Sequence, residues 1–82
     1  MRKMTSKEVE AITTYRIHKG GAQLGNQWII TCECASGLVG HLGVCRLGNP
    51  ARFATASFAA GFLNTFLRGK GSEDYEWTVT YG

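Results

Sequence analysis

The run ITTYRIHK, residues 12–19, alternates Thr13, Tyr15 and Ile17 with Thr14, Arg16 and His18. This is the two-residue period of a strand with one face inward. WIITCEC, residues 28–34, repeats the pattern, with Trp28, Ile30, Cys32 and Cys34 on one face and Ile29, Thr31 and Glu33 on the other. The glutamate marks the wet side. A third strand is read over LVGHLGVCRL, residues 38–47, weakened at Gly40 and Gly43. A fourth is YEWTVTY, where Tyr75, Trp77, Val79 and Tyr81 alternate with Glu76, Thr78 and Thr80.

Between the third and fourth strands the period changes. In GNPARFATASFAAGFLNTFLRG, Phe58, Phe62 and Phe66 recur every four residues beside Ala59, Leu63 and Leu67, with Ser57, Asn64 and Arg68 opposite. That stripe predicts a helix lying on a sheet. Asn49 has the chemistry of an N-cap, Pro50 of a first helical residue, and Gly69 of a C-cap behind Arg68. Gly61 costs roughly 1 kcal/mol against alanine inside an exposed helix, so close packing or an approaching partner is expected there.

These elements predict one α+β domain over residues 1–82, with a three-stranded antiparallel meander, one long amphipathic helix packed on one sheet face, and a closing fourth strand (βββαβ). A right-handed crossover helix would return the chain parallel to a neighbour. That favours the strand order 4-1-2-3 over a last strand placed beside the third. Residues 1–10 carry Thr5 and Glu8 at capping-box spacing, which fits either a short helical turn or a frayed arm.

The stretch CECASGLVGHLGVC, Cys32 to Cys45, holds three cysteines and a histidine and raises the question of a zinc site. A hairpin loop of Ala35, Ser36 and Gly37 sets Cys34 against Leu38, Cys32 against Gly40, Ile30 against Leu42 and Trp28 against Val44. All the large apolar residues then share one side. Thr31 and His41 share the other, with Glu33 opposite Val39 and Cys45 on the same wet face. A two-residue loop would move Leu38, Leu42 and Val44 to the side of Glu33. In the favoured register the cysteine pair and the His41–Cys45 pair lie on opposite faces and do not converge on one ion. The ligand order resembles a zinc knuckle, but the gaps differ. We therefore expect structural cysteines, no metal site and no cofactor, with a small zinc-binding domain as an alternative.

Composition narrows the classes further. The chain has 82 residues and a formal charge of +3, from nine Lys and Arg against six Asp and Glu spread along it. No concentrated basic stripe marks a nucleic-acid footprint. No apolar run approaches the ~20 residues of a spanning helix, and the odd cysteine count suits free thiols, which together predict a cytoplasmic protein with no membrane partner. A Cys32–Cys45 bridge is the alternative to free thiols.

GGAQLGNQ places Gly20 and Gly25 at phosphate-loop spacing, but Asn26 and Gln27 stand where lysine and a hydroxyl residue are needed. It reads as a loop between strands. No nucleophile, base and orienting group are paired in the sequence, so no catalytic residue is assigned and an enzyme is not expected. The surface expected to bind is the sheet face away from the helix with its loops: Arg16, His18, Lys19, Gln23, Asn26, Ile29, Thr31, Val39 and His41. Ile29 and Val39 would form a modest apolar patch there.

In size and plan, TYRIHK, WIITCECASG, FATASFAAGFLNTFLRG and YEWTVTYG together resemble the small phage-encoded inhibitors of bacterial defence, the anti-CRISPR type proteins. The resemblance covers most of the chain but carries no motif and transfers no residue roles. It implies a non-enzymatic module that covers a protein partner, such as a nucleic-acid-handling complex, and works as a monomer or homodimer. GNPARFATASFAAGFLNTFL after a hairpin is also similar to the last helix of double-stranded RNA binding domains, which would imply a nucleic-acid partner. The lysine-rich helix start of that family is missing, and YEWTVTY is an extra strand.

Overall fold

The computed structural model describes residues 2–22, 25–45, 49–69 and 73–81. The alternating runs form one four-stranded sheet: β1 (Ile12–Lys19), β2 (Trp28–Cys34), β3 (Val39–Val44) and β4 (Tyr75–Tyr81). A short helix α1 (Ser6–Glu10) precedes β1, and α2 (Ala56–Leu67) lies between β3 and β4. The α+β plan βββαβ holds, with α2 packed on the sheet.

The hairpin register is the three-residue one. Cys32 faces Gly40, Thr31 faces His41 and Glu33 faces Val39, while the Cys34 N–H donates to the Leu38 carbonyl at 2.9 Å. Gly37 closes the turn at φ +94°, a left-handed conformation that glycine adopts without steric cost.

Beyond Thr31–His41 the expected pairing of Ile30 with Leu42 and Trp28 with Val44 is absent, because residues 49–53 insert between the two strands. On the β3 side the Ala51 N–H donates to the Leu42 carbonyl and the Val44 N–H to the Asn49 carbonyl. On the β2 side Trp28 and Phe53 exchange both backbone bonds at 2.8 Å. Both bridges are antiparallel although β2 and β3 oppose each other, so the segment must turn between Pro50 and Phe53. This corrects the expected helix start. Pro50 bridges to Gly43 of β3, and the N-cap of α2 stands six residues after Asn49, at Thr55, whose hydroxyl accepts the Phe58 N–H at 3.1 Å. Gly69, at φ +77°, ends the helix as expected.

The strand order is β1-β2-β3-β4, with β4 antiparallel beside β3, not parallel beside β1 as expected. α2 contacts β1 and β2, and its Phe62 and Phe66 rings sit 5.0 and 5.8 Å from Tyr75 and Trp77 of β4. After α2 the chain re-enters the sheet at the end where it left β3. β4 starts where β3 stops, with Tyr75 opposite Val44.

The core fills the α2 side: Ile30, Cys32, Cys34, Leu42, Phe53, Ala59, Leu63, Trp77 and Val79 are buried, with Met4 from the N-terminal segment. Small residues at mid-sheet let its edges approach. Above Cys32 and Gly40 the Tyr15 ring of β1 comes within 5.5 Å of the Trp77 ring of β4. Trp28 is only half-buried, and Phe58 is 63% exposed, so the phenylalanine stripe is wet at its first turn.

Residues 2–4 close the outer side of β4: the Met4 N–H donates to the Trp77 carbonyl at 2.8 Å and the Val79 N–H to the Arg2 carbonyl at 2.7 Å. The chain then crosses the core face as α1. Thr5 and Glu8 form a full capping box, which settles the helix-or-arm alternative as a helix. The Cys34 thiol donates to the Glu8 carbonyl at 3.4 Å, tying α1 to the sheet. The Glu8 carboxylate also takes a two-pronged ion pair from Arg2 at 2.6 and 2.7 Å. That bond, followed by the Thr5 N–H, holds the carboxyl down to about 2.

Candidate functional site

The face of the sheet opposite α2 divides into a closed half and an open half. Cross-strand pairing sets Arg16, Thr31, His41, Thr78 and Lys3 in one row from β1 to the N-terminal strip. Neighbours in such a row share a face. At the β3–β4 end the row is covered. His41 is 4% exposed with its Nδ1 2.8 Å from the Thr80 hydroxyl, and Thr78 is 3% exposed. The Asn49 carbonyl lies 3.3 Å from where a side chain on Gly43 would begin, so the inserted segment presses on this end. This corrects the expected wet face, since His41 and Ile29 are both buried. They offer no surface to a partner, and the apolar patch of Ile29 with Val39 is not formed at the surface.

The β1–β2 half is open. Thr14, Arg16, His18, Thr31, Glu33 and Val39 line a groove of about 720 Å³. Thr14, Arg16, His18 and Glu33 are exposed, and Thr31 and Val39 half-buried. The His18 Nε2 lies 3.2 Å from the Thr31 hydroxyl and its Nδ1 3.3 Å from the Lys19 carbonyl, which holds the imidazole on the groove wall that Arg16 also lines. Among the described residues the ion pair found is Arg2–Glu8, so Arg16 and Glu33 border the groove without neutralising each other. A surface of this kind can hold a carboxylate or amide by hydrogen bonds to Arg16, His18 and the threonine hydroxyls.

The remaining expected site residues lie around this groove. Lys19 ends β1 on the other face, with its ammonium 6.0 Å from the Trp28 ring centroid. Asn26, in the connection from β1 to β2, is exposed at φ +56° and its N–H donates to the Gly21 carbonyl at 2.9 Å. Gln23 lies outside the described residues. The structure thus brings together Arg16, His18, Thr31 and Val39, and adds Thr14 and Glu33, which strand alternation had already placed on this face.

The three cysteines do not share one environment. Cys32 and Cys34 sit in the core under α1, while Cys45 is on the far side, its thiol donating to the Glu73 carbonyl at 3.3 Å. Burial, with the neighbouring Cys34, pushes the Cys32 thiol up to about 11. Burial and the neighbouring Glu76 also raise Cys45 above the ordinary thiol range. Among the described residues no three His, Cys, Asp or Glu side chains gather where a metal ion could sit.

Exposed apolar residues on α2 do not make a second site. Phe58 and Leu67 are 63% and 48% exposed, but nine residues separate them, which turns them to opposite sides of the helix. Among the described residues no helix is long and apolar enough to cross a membrane. No family model, no curated protein and no solved structure matches this chain.

Proposed function

We propose that this chain is a small non-enzymatic protein-binding module that acts by covering part of a partner's surface. It would do so in the manner of the phage-encoded anti-CRISPR type inhibitors it resembles in size and plan, with a host defence complex as the partner. The observation that carries the reading is the asymmetry of the sheet face: His41 of β3 and Thr78 of β4 are buried, whereas β1 and β2 line an open groove with an unneutralised guanidinium, the exposed Thr14 and a Thr31 hydroxyl bonded to His18. A domain of this size presents roughly 800 Å² to one partner, enough for a specific complex.

A nucleic-acid partner is the second reading, favoured by the cations Arg16 and Lys3 at the two ends of one cross-strand row. Against it, the groove is lined by no aromatic ring on which a base could stack. The test is retention of a protein from nuclease-treated lysate of the native host on the tagged chain at about 0.3 M salt. The groove double variant Thr31→Arg, Val39→Glu is expected to release it. Oligonucleotide binding that weakens steeply with salt, with no protein retained, would replace this reading by the second.

A further inference from the structure

The sheet has two outer strands, and only one of them is finished. The outer side of β4 is capped by residues 2–4, whereas among the described residues nothing pairs with the outer side of β1. β1 is eight residues long and mostly exposed. Its backbone polarity can be assigned. The Gly20 N–H donates to the Gln27 carbonyl at 2.8 Å, and Lys19 pairs with Trp28 one step before. In an antiparallel ladder bonded and non-bonded residues alternate. Thr14, Arg16 and His18 therefore bond to β2, and Tyr15, Ile17 and Lys19 aim their N–H and C=O groups outward. Such a row accepts an added strand.

Charge decides what that strand is. The run ITTYRIHK holds Arg16 and Lys19 and no acid. A second copy pairing antiparallel about Ile17 would set Arg16 against His18 and Lys19 against Tyr15, lining one seam with the cations of both copies and no anion. Such a seam contains no opposite-charge pair to stabilise it, and the two Arg16 side chains lie diagonal to each other across it. A strand with acidic residues on one face would instead lay carboxylates beside Arg16 and His18 at the mouth of the groove, with its backbone on Tyr15, Ile17 and Lys19. We propose that the open edge of β1 is a docking site for an extended, acidic segment of a protein partner, added to the sheet as a fifth strand. This rests on the protein-binding reading above and names the chemistry of its partner.

The test uses two capped eight-residue peptides, one alternating threonine with glutamate and one alternating threonine with lysine. Amide hydrogen exchange is followed at Tyr15, Ile17 and Lys19. At about 1 mM the glutamate peptide is expected to slow exchange of these three amides at least about tenfold and the lysine peptide to leave them unchanged. Arg16→Glu, at an exposed position, is expected to reverse the preference. Equal effects of the two peptides, or no protection by either, overturn the proposal. So does protection that rises with protein concentration alone, which would assign the edge to a second copy. Failure here alongside a retained protein that Thr31→Arg, Val39→Glu releases removes the edge and leaves the binding module. A lysate that yields only salt-sensitive oligonucleotide binding removes the module whatever the peptides do.

Discussion

Gly61 stands sixth in the twelve-residue helix α2, where glycine is the least favourable residue after proline. A Cβ built on it meets nothing within 4 Å, so the close packing that such a glycine suggests is absent. Gly61→Ala therefore adds no clash and buries no new contact, and its effect reduces to the helix propensity difference of about 0.8–1.0 kcal/mol in favour of alanine. The Thr65 hydroxyl, which donates to the Gly61 carbonyl at 3.1 Å, is undisturbed. For a domain of this length, about 1 kcal/mol corresponds to a rise in Tm of roughly 4–8 °C. Thermal melts by circular dichroism and urea titrations followed by the fluorescence of Trp28 and Trp77 measure it. Gly69→Ala is the control of opposite sign, because Gly69 holds φ +77° at the helix end, where a Cβ is strained. If Gly61→Ala leaves the midpoint unchanged or lowers it while Gly69→Ala destabilises, the helix face at Gly61 is covered in solution and the reasoning fails. The same substitution locates the partner. A complex formed at the β1 edge and groove is insensitive to Gly61→Ala, and one formed on the outer face of α2 is not.

Other positions give sharper signs. Gly40→Ala would place its Cβ 2.8 Å from the Thr78 carbonyl and 2.9 Å from the Met4 sulfur. Sulfur can yield but the paired strand cannot, so a loss of about 1–3 kcal/mol in urea denaturation is expected. The Thr78 hydroxyl is buried with no hydrogen-bond partner. The near-isosteric Thr78→Val should raise stability by about 1 kcal/mol, and a lowered urea midpoint would show that the hydroxyl is satisfied. Glu8 titrates near 2 in the fold, below its unfolded value, so its contribution is full above about pH 4.5 and fades as the pH falls toward 2. Arg2→Ala should return the Glu8 carboxyl to the ordinary range by NMR titration, and should reduce the urea midpoint at pH 6 while leaving it little changed at pH 2. Of the three thiols, Cys45 alone is partly exposed, so a thiol reagent should label one site per native chain, lost in Cys45→Ala, and three after unfolding.

The four strands and the hairpin register were legible because each is a local consequence of period-two alternation. The register follows from Gly37 at the left-handed position and from the cost of turning Leu38 and Leu42 toward Glu33. The sheet order was not legible, because it depends on where the chain re-enters the sheet after α2, and an amphipathic stripe records which face is buried but not where the helix leads. The helix start misled for a related reason. Asn49-Pro50 and Thr55-Ala56 both have capping chemistry, and the choice went to Thr55 because Phe53 exchanges two backbone bonds with Trp28 before the helix can begin. At the candidate site, alternation gives the face of a side chain but not its exposure. Alternation assigned His41, Ile29 and Arg16 to one face correctly, but only Arg16 stayed exposed. Segments remote in sequence, residues 49–53 and the strip at residues 2–4, pair with β2, β3 and β4 on the side of the sheet away from β1. Each added segment satisfies backbone groups that β2, β3 and β4 would otherwise leave bare, and among the described residues none does so for β1. The unfinished edge and the open groove therefore have one origin: the chain spends its irregular segments on the far side of the sheet, and an edge strand of eight residues left unpaired is a feature that natural sheets otherwise cover or interrupt.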